Sequence, residues 1–295
     1  MLSLEHLADL LANHRVAATA RVKEFPINGR PFPFNTQPAI MGVVNLSADS
    51  WYRESVCLTA DAAIQRGKIQ AAQGAAIIDV GAESTLANAA RADAAMQNSR
   101  LLPVIKGLRA ENILVSVETY SPAVTRAALA AGANVLNLTG TEASEEIFHL
   151  VAAHDAAVII CYVAGHNVRE VGDFDLGADP LPLLQHYFSR QIETAQRCGV
   201  EKIFIDPGLG FYYRNLQDSA VRVRHQMNIF LNTFRLRELG FPVCHALPHA
   251  FEFFGEQVRS AEPLFAVLAA LGKTDLFRTH EVPRIQAVLD TLKAF

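Results

Sequence analysis

The sequence lacks the features that define several broad classes of protein. Its longest apolar run, residues 156–165, is far too short to span a bilayer, so no membrane anchor is predicted. The N-terminus has no basic segment ahead of an apolar core, so we expect no signal peptide. None of the 4 cysteines forms a C-x-x-C pair, which favours reduced thiols in a cytoplasmic protein over disulfides or a zinc site.

The charge distribution excludes a further class. The 26 basic residues are scattered and the formal net charge is −4, which is not the pattern of a nucleic-acid-binding surface. The 295 residues are 51% hydrophobic and 19% charged, which is enough apolar material for one large domain. We therefore expect small-molecule partners, with no nucleic acid and no membrane.

Short β-rich apolar runs alternate with longer helical patterns. Strands are predicted at residues 39–45, 75–80, 113–118, 133–138, 157–162, 202–206, 242–247 and 275–279. Helices are predicted near residues 59–73, 92–109, 121–130, 143–154, 182–199, 217–238, 260–271 and 283–293. This alternation predicts an α/β protein with a (β/α)8 TIM barrel. A doubly wound open sheet is the alternative, which is disfavoured because no G-x-G-x-x-G follows an early strand.

The first residues are predicted to lie outside the barrel. Residues 1–38 form an N-terminal extension in this interpretation, and residues 39–295 form the barrel. The extension combines an amphipathic helix at residues 4–11 with a β-hairpin at residues 18–34, centred on an Asn-Gly turn. We expect it to cap the bottom of the barrel.

Loops and helix ends give further expectations. The connections at residues 46–58 and 163–181 are long, and long loops at a catalytic face are often lids or substrate loops. For the second, an ordinary excursion is an equally good interpretation. Four glycines are predicted to act as helix C-terminal caps: Gly132, Gly199, Gly240 and Gly272.

Polar residues recur at the predicted carboxyl ends of the strands. Asp206 ends an apolar strand and precedes Pro-Gly-Leu-Gly, and a charge there is costly unless something binds it. Strand ends converge at one mouth of a barrel, so these residues should meet. Over about residues 39–290 the motifs resemble those of dihydropteroate synthase and its pterin-binding relatives. The matching segments are residues 45–51 (Asn-Leu-Ser-Ala-Asp-Ser-Trp), 83–85 (Glu-Ser-Thr), 116–119 (Ser-Val-Glu-Thr), 137 (Asn), 206–211 (Asp-Pro-Gly-Leu-Gly-Phe) and 278–282 (Arg-Thr-His-Glu-Val).

The resemblance implies that a reduced pterin binds at the barrel mouth. A carboxylate can accept two parallel N–H groups of the pterin edge, an asparagine can donate and accept, and a guanidinium can stack on the ring. The residues implied for pterin binding are Glu118, Asn137, Asp206, Phe211, Arg278 and His280. Those implied for phosphate binding are Asn45, Ser84, Thr85, Arg278 and His280, with Asn45 also holding Mg²⁺ on the substrate pyrophosphate. No catalytic base is assigned, because displacement of pyrophosphate by an aromatic amine depends on positioning.

The sequence departs from the family pattern where the arylamine is seated. The family's Gly-x-Ser-Arg-Lys segment is replaced by Ala-Leu-Pro-His-Ala, so the acceptor pocket predicted at Pro248, His249 and Ala250 lacks those polar contacts. Further departures are Leu86 for arginine, Tyr162 for histidine and Glu118 for aspartate. Each lost charge-assisted hydrogen bond is worth about 1.5–3 kcal/mol, so ordinary dihydropteroate synthesis is expected to be absent or very weak.

The resemblance, taken with these departures, implies a transferase of folate or tetrahydromethanopterin biosynthesis. It would join a pterin-methyl pyrophosphate to an arylamine other than p-aminobenzoate, such as a ribosyl-aminobenzene phosphate. Two alternatives stay open: a pterin-dependent methyltransferase that works with a corrinoid partner protein, and a non-catalytic pterin-binding paralogue. The apolar positions at residues 264–268, with Val288 and Leu292, would suit a homodimer formed through the last helices.

Overall fold

Eight parallel strands form a closed ring in the computed structural model, which describes residues 2–47, 49, 55–84, 91–174, 177, 179–211, 213–248 and 251–295. The strands are β1 (Ala39–Asn45), β2 (Ile77–Gly81), β3 (Leu114–Thr119), β4 (Val135–Leu138), β5 (Ala157–Cys161), β6 (Lys202–Asp206), β7 (Cys244–Ala246) and β8 (Leu276–Thr279). They lie in the order β6-β5-β4-β3-β2-β1-β8-β7. A parallel bridge between Ile205 and Val243 brings β6 beside β7. The predicted (β/α)8 barrel is confirmed, and the open sheet was the wrong alternative.

Helices alternate with these strands. They are α1 (Leu4–Asn13), α2 (Arg15–Ala18), α3 (Ala60–Ala72), α4 (Ala94–Ala110), α5 (Pro122–Ala130), α6 (Ser144–Ala153), α7 (Leu181–Arg197), α8 (Ser219–Leu236), α9 (Phe251–Phe254), α10 (Ala261–Leu271) and α11 (Val282–Lys293). Short 3-10 helices occupy Arg214–Leu216, Arg237–Leu239 and Gly255–Ser260. The sequence did not predict α2 and α9. None of the helices in the described ranges is long and apolar enough to cross a membrane.

Side-chain caps explain where several helices begin. The side chains of Thr59, Asp93, Ser121 and Asp218 each accept a hydrogen bond from a backbone N–H in the first turn of α3, α4, α5 and α8. Each cap satisfies one of the N–H groups that a helix start leaves without a partner. These helices cover the outer face of the ring, so β2 is buried along its whole length, which accounts for its nearly continuous apolar sequence.

Aromatic residues of the N-terminal segment fill the bottom of the barrel. Phe25 and Phe34 pack edge-on against Phe204 of β6, with ring centroids 5.2 and 5.3 Å away. The predicted hairpin is reduced to a tight turn, in which Asn28 and Gly29 have positive φ angles of 48° and 77°. A single antiparallel bridge flanks that turn, because the residues on either side pack into the barrel. The domain boundary at residue 38 stays a prediction.

Three of the four predicted C-terminal glycine caps have the expected left-handed backbone. Gly132, Gly199 and Gly240 have φ angles of 104°, 89° and 83°. Gly272 is the C-cap of α10, as predicted, but its φ is −80° and the next residue, Lys273, takes the positive φ of 65°. Gly272 is required by close packing, since a Cβ there would lie 1.8 Å from the carbonyl oxygen of Phe230.

Candidate functional site

The carboxyl ends of the strands surround a small, partly open cavity. The residues that line it are Glu118, Asn137, Thr139, Cys161, Asp206, Gly208, Gly210, Phe211, Ala246 and Arg278. The structure thus brings together five of the six residues predicted to bind a pterin. The sixth, His280, is placed beside Asn45 instead. That these groups bind a pterin stays a prediction.

Arg278 on β8 is held between two acidic side chains. Its Nε donates to Oδ2 of Asp79 on β2 at 2.7 Å, and its terminal nitrogen donates to Glu118 on β3. Asp79 is fully buried and also accepts a hydrogen bond from the Asn137 amide at 3.2 Å. Burial opposes the charge of Arg278, but the two carboxylates outweigh it and raise the pKa of the guanidinium. The plane of the guanidinium is therefore fixed before any ligand arrives.

Asp206 ends β6 at a turn that needs glycine. One of its carboxylate oxygens accepts the backbone N–H of Gly208 at 2.8 Å. Gly208 has a φ of 75°, and a Cβ there would lie 2.3 Å from the carbonyl oxygen of Tyr162. Burial raises the pKa of Asp206 to about 6, against the effects of the Gly208 N–H and of Arg278.

Glu118 is the second carboxyl group of the cavity with a strongly shifted pKa. Burial raises its pKa to about 7, and the charges of Asp79 and Asp206 add to the rise while Arg278 opposes it. Among the described cavity-lining residues, Arg278 carries the one positive charge. A site of this composition favours a ligand that donates hydrogen bonds, since donors satisfy buried carboxyl oxygens.

His280 belongs to a neighbouring polar cluster. Its Nδ1 lies 3.4 Å from Oε1 of Glu262 on α10, and its Nε2 lies 3.4 Å from the amide nitrogen of Asn45. Glu262 is fully buried and also accepts a hydrogen bond from the hydroxyl of Thr279. The Asn45 amide donates to the Ser55 hydroxyl at 2.5 Å. Two of the predicted phosphate-binding residues, Asn45 and His280, therefore lie side by side.

Of the remaining predicted site residues, two are described by the structure and three are not. Ser84 is buried in the connection after β2, and its hydroxyl donates to the carbonyl oxygen of Asp49 at 3.2 Å. Pro248 is buried just beyond β7. Thr85, His249 and Ala250 lie outside the described residues. Among the described residues, no group of three or more His, Cys, Asp or Glu side chains could hold a metal ion, and a Mg²⁺ ion at Asn45 stays a prediction.

Sequence reasoning missed several residues of the site. The missed residues are Asp79, Thr139, Cys161 and Glu262. Asp79 carried a usable signal, because an acidic residue inside an otherwise apolar strand requires a buried partner. Glu262 and Thr139 carried none, since their importance depends on contacts with distant parts of the chain.

The barrel, with its cavity lined by acidic and amide groups at strand ends, defines a small-molecule site of the kind that enzymes carry at this face. The chain belongs to the pterin-binding enzyme family, whose model, described as pterin binding enzyme, matches residues 41–246. It is a divergent member.

Named relatives support this assignment. Dihydropteroate synthase of Streptococcus pyogenes is 31% identical over 273 residues, which cover 88% of this chain and 97% of that protein. The structure of Xanthomonas albilineans dihydropteroate synthase with 4-aminobenzoic acid is 28% identical, with a TM-score of 0.77 over 94% of this chain and 98% of that one. The same enzyme in complex with 7,8-dihydropteroate is 26% identical, with a TM-score of 0.73 over 92% and 97%.

Proposed function

We propose that the protein is a transferase that joins a reduced pterin, activated as its methylene pyrophosphate, to an arylamine. The observation that carries this proposal is the cavity at the barrel mouth in which Asp206, Asn137 and Arg278 meet in a chain of the pterin-binding family. A pterin edge presents an amino group, ring N–H groups and a carbonyl oxygen. Carboxyl and amide groups match these donors and acceptors.

The pterin would lie with its edge on Asp206 and Asn137. The guanidinium of Arg278 would face the ring, because Asp79 and Glu118 already fix its plane. Phe211, which lines the same cavity, would supply an apolar contact. The free-energy gain comes from pairing buried polar groups that otherwise have to be neutralised by protonation.

The pyrophosphate end would reach the neighbouring polar cluster. Asn45 and His280 lie beside each other there, and Ser84 and Thr85 belong to the connection after β2. The two hydrogen bonds of the Asn45 amide use its nitrogen, which leaves its oxygen for a cation. A Mg²⁺ ion on the pyrophosphate would neutralise charge on the leaving group.

The chemistry would need position more than a strong base. The amine nitrogen forms the new C–N bond as the C–O bond to pyrophosphate breaks with its electron pair. The amine proton passes to water or to the departing pyrophosphate. The barrel mouth would hold the two reactants in line, which is the contribution that fixed side chains make best.

We further propose that the acceptor is an arylamine other than p-aminobenzoate. Pro248 has no backbone N–H to offer a carboxylate, and Ala246 presents a methyl group to the cavity. Asp79, Glu118 and Asp206 also make the surroundings acidic, which disfavours an anionic acceptor. The relatives named above are dihydropteroate synthases. The proposal of a different acceptor is therefore supported by the changed segment at residues 246–250 and not by those relatives.

A pyrophosphate-release assay tests both parts of the proposal. The pterin pyrophosphate is offered with p-aminobenzoate, with aniline derivatives that lack a carboxylate, and with a ribosyl-aminobenzene phosphate. Turnover with an amine other than p-aminobenzoate is expected. A rate with p-aminobenzoate as high as that of the related synthases would overturn the acceptor proposal. Pterin binding without turnover of any amine would indicate a non-catalytic paralogue.

Thermal shifts separate the pterin half from the acceptor half. The pterin pyrophosphate should stabilise the fold by about 2.7 kcal/mol at a hundredfold excess over its Kd, whereas p-aminobenzoate should add nothing. The combined change Pro248→Ser, His249→Arg and Ala250→Lys should raise p-aminobenzoate binding more than pterin binding. A clear shift from p-aminobenzoate in the unmodified protein would contradict the proposal.

A further inference from the structure

The connection after β5 lies against the barrel. Val168 donates its backbone N–H to the carbonyl oxygen of Thr139 at 2.9 Å. An antiparallel bridge joins Gly140 to Asn167. Because Thr139 lines the cavity, this connection packs against the outside of the cavity wall.

Arg169 in this connection reaches the connection after β2. Its side chain is 3% exposed, and its guanidinium lies 3.3 Å from a carboxylate oxygen of Glu83. It also donates to the carbonyl oxygen of Ser84 at 3.2 Å. The other oxygen of Glu83 accepts the hydroxyl of Tyr120, which follows β3, at 2.8 Å. The buried guanidinium thus has a charged partner and a backbone acceptor on the same short segment.

A fourth connection joins through Ser84. The Ser84 hydroxyl donates to the backbone oxygen of Asp49, which lies after β1. Residues from the connections after β1, β2, β3 and β5 therefore form one polar network with Arg169 near its centre. Burying a guanidinium and a carboxylate is costly, so a network of this kind fixes geometry more than it adds stability.

We infer that Arg169 is a positioning residue that holds the connection after β2, and with it Ser84, in place for the anionic part of the substrate. This inference deepens the proposed function, since it rests on a pyrophosphate-bearing substrate. It also makes residues 163–171 a fixed support of the cavity wall and not a swinging lid. Removing the guanidinium would leave Glu83 as a buried carboxylate without its cation and release Ser84.

The chain provides a matched control at the surface. Arg91 and Glu170 join the same two connections through an ion pair of 2.7 Å, with side chains 70% and 43% exposed. Exposed pairs of this kind contribute little. The comparison between Arg169→Ala and Arg91→Ala therefore separates a buried positioning contact from a surface one.

Calorimetry with two ligands provides the first test. Arg169→Ala should weaken binding of the pterin pyrophosphate by about tenfold or more, while binding of hydroxymethyl dihydropterin, which lacks pyrophosphate, changes less than about twofold. Arg169→Lys should recover part of the loss, and Arg91→Ala should change neither ligand. Equal losses for both ligands, or no loss for either, would overturn the inference.

Hydrogen exchange without any ligand provides the second test. Arg169→Ala should speed amide exchange about tenfold in residues 82–84 and 163–171, whereas Arg91→Ala should not. This measurement keeps the inference testable when the parent protein binds no pterin, a result that would contradict the proposed function alone. If Arg169→Ala fails to fold, Glu83→Gln replaces it in both tests. Unchanged exchange in both segments would show that Arg169 does not hold them.

Discussion

The two ends of the barrel are built from the same strands and have opposite character. At the bottom, Phe25 and Phe34 of the N-terminal segment pack edge-on against Phe204, and the interior is apolar. At the top, Asp79 and Glu118 share the guanidinium of Arg278, and Asp206 lines the same cavity as Glu118 and Arg278. The first arrangement lowers the free energy of the folded state. The second raises the pKa of two carboxyl groups, which is a cost that a ligand can recover.

The difference shows how one fold separates stability from binding. Each edge-on aromatic contact stabilises the folded state, and this stabilisation does not depend on a ligand. Buried carboxyl groups lose hydration, and their shifted pKa values measure that loss. Changes at the bottom should therefore alter unfolding, and changes at the top should alter ligand affinity.

The largest effect on stability is expected at the bottom. Phe25→Ala should lower the free energy of unfolding by about 3–5 kcal/mol, because it leaves a cavity against Phe34 and Phe204. Urea unfolding measures the change, with Phe25→Leu as a control that keeps most of the volume. Pterin affinity should be unaffected. A parallel fall in affinity would show that the two ends are coupled.

The matching effect at the top is on affinity. Asp206→Ala should cost about 2–4 kcal/mol of pterin binding, because it leaves buried donors of the ligand unpaired. Calorimetry measures the change. Asp275→Ala is the control, since Asp275 is another buried carboxyl group, paired with Arg237 at 3.3 Å ahead of β8. Asp275→Ala should lower the free energy of unfolding and leave pterin affinity unchanged. If Asp206→Ala binds the pterin as tightly as the parent does, Asp206 is not a pterin-binding residue.

The pH dependence of stability should sharpen the contrast. Burial raises the pKa of Asp206 to about 6 and that of Glu118 to about 7, so the folded state holds these protons more tightly than the unfolded chain does. The two protonated carboxyl groups contribute fully to the stability of the folded state when the pH is below the pKa of an ordinary carboxyl group. This contribution is lost as the pH rises through about 6 to 7. The free energies of unfolding at about pH 5 and about pH 8 should differ by about 1.4 kcal/mol more in the parent than in Asp206→Asn. If the free energy of unfolding changes with pH equally in both proteins, the pKa of Asp206 is not raised by burial.

The smallest effect on ligand affinity is expected from Glu262, which lies beside His280. Glu262→Gln should weaken binding of the pterin pyrophosphate by about 1 kcal/mol, because the carboxylate that orients the His280 ring beside the leaving group is lost. Binding of hydroxymethyl dihydropterin should stay the same. Thr279→Val, which removes the hydroxyl partner of Glu262 and keeps its charge, is the control. Loss of both ligands together would place Glu262 in a purely structural role.

The fold could be predicted because its signals are local. Apolar runs and helix caps such as Ser121 are readable within a few residues, and the strands and helices lie within two residues of their predicted bounds. Asp206 was also readable, because a carboxylate ending an apolar strand stands out by itself. The hairpin was overestimated because tertiary packing of Phe25 and Phe34 displaced local pairing.

The rest of the site could not be predicted because it depends on distant pairs. Arg278 was expected to face a ligand, but its engagement with Asp79 joins β8 to β2 across the ring. Arg169, in the connection after β5, contacts Glu83 in the connection after β2. Neither the residue types nor their spacing in the sequence predicts this contact. Such contacts follow from barrel closure, which the sequence pattern implies without specifying the partners.

The strand order has a consequence for folding. Strands β1 to β6 each pair with their neighbour in sequence, so this part of the sheet can grow step by step with short loop closures. Docking of β8 against β1 is a long-range step, in which Met41 comes opposite Arg278. Because Arg278 is the partner of Asp79 and Glu118, those acids gain their cation when the ring closes. Completion of folding and competence to bind should therefore coincide, and a nascent chain that still lacks β8 should have no working site.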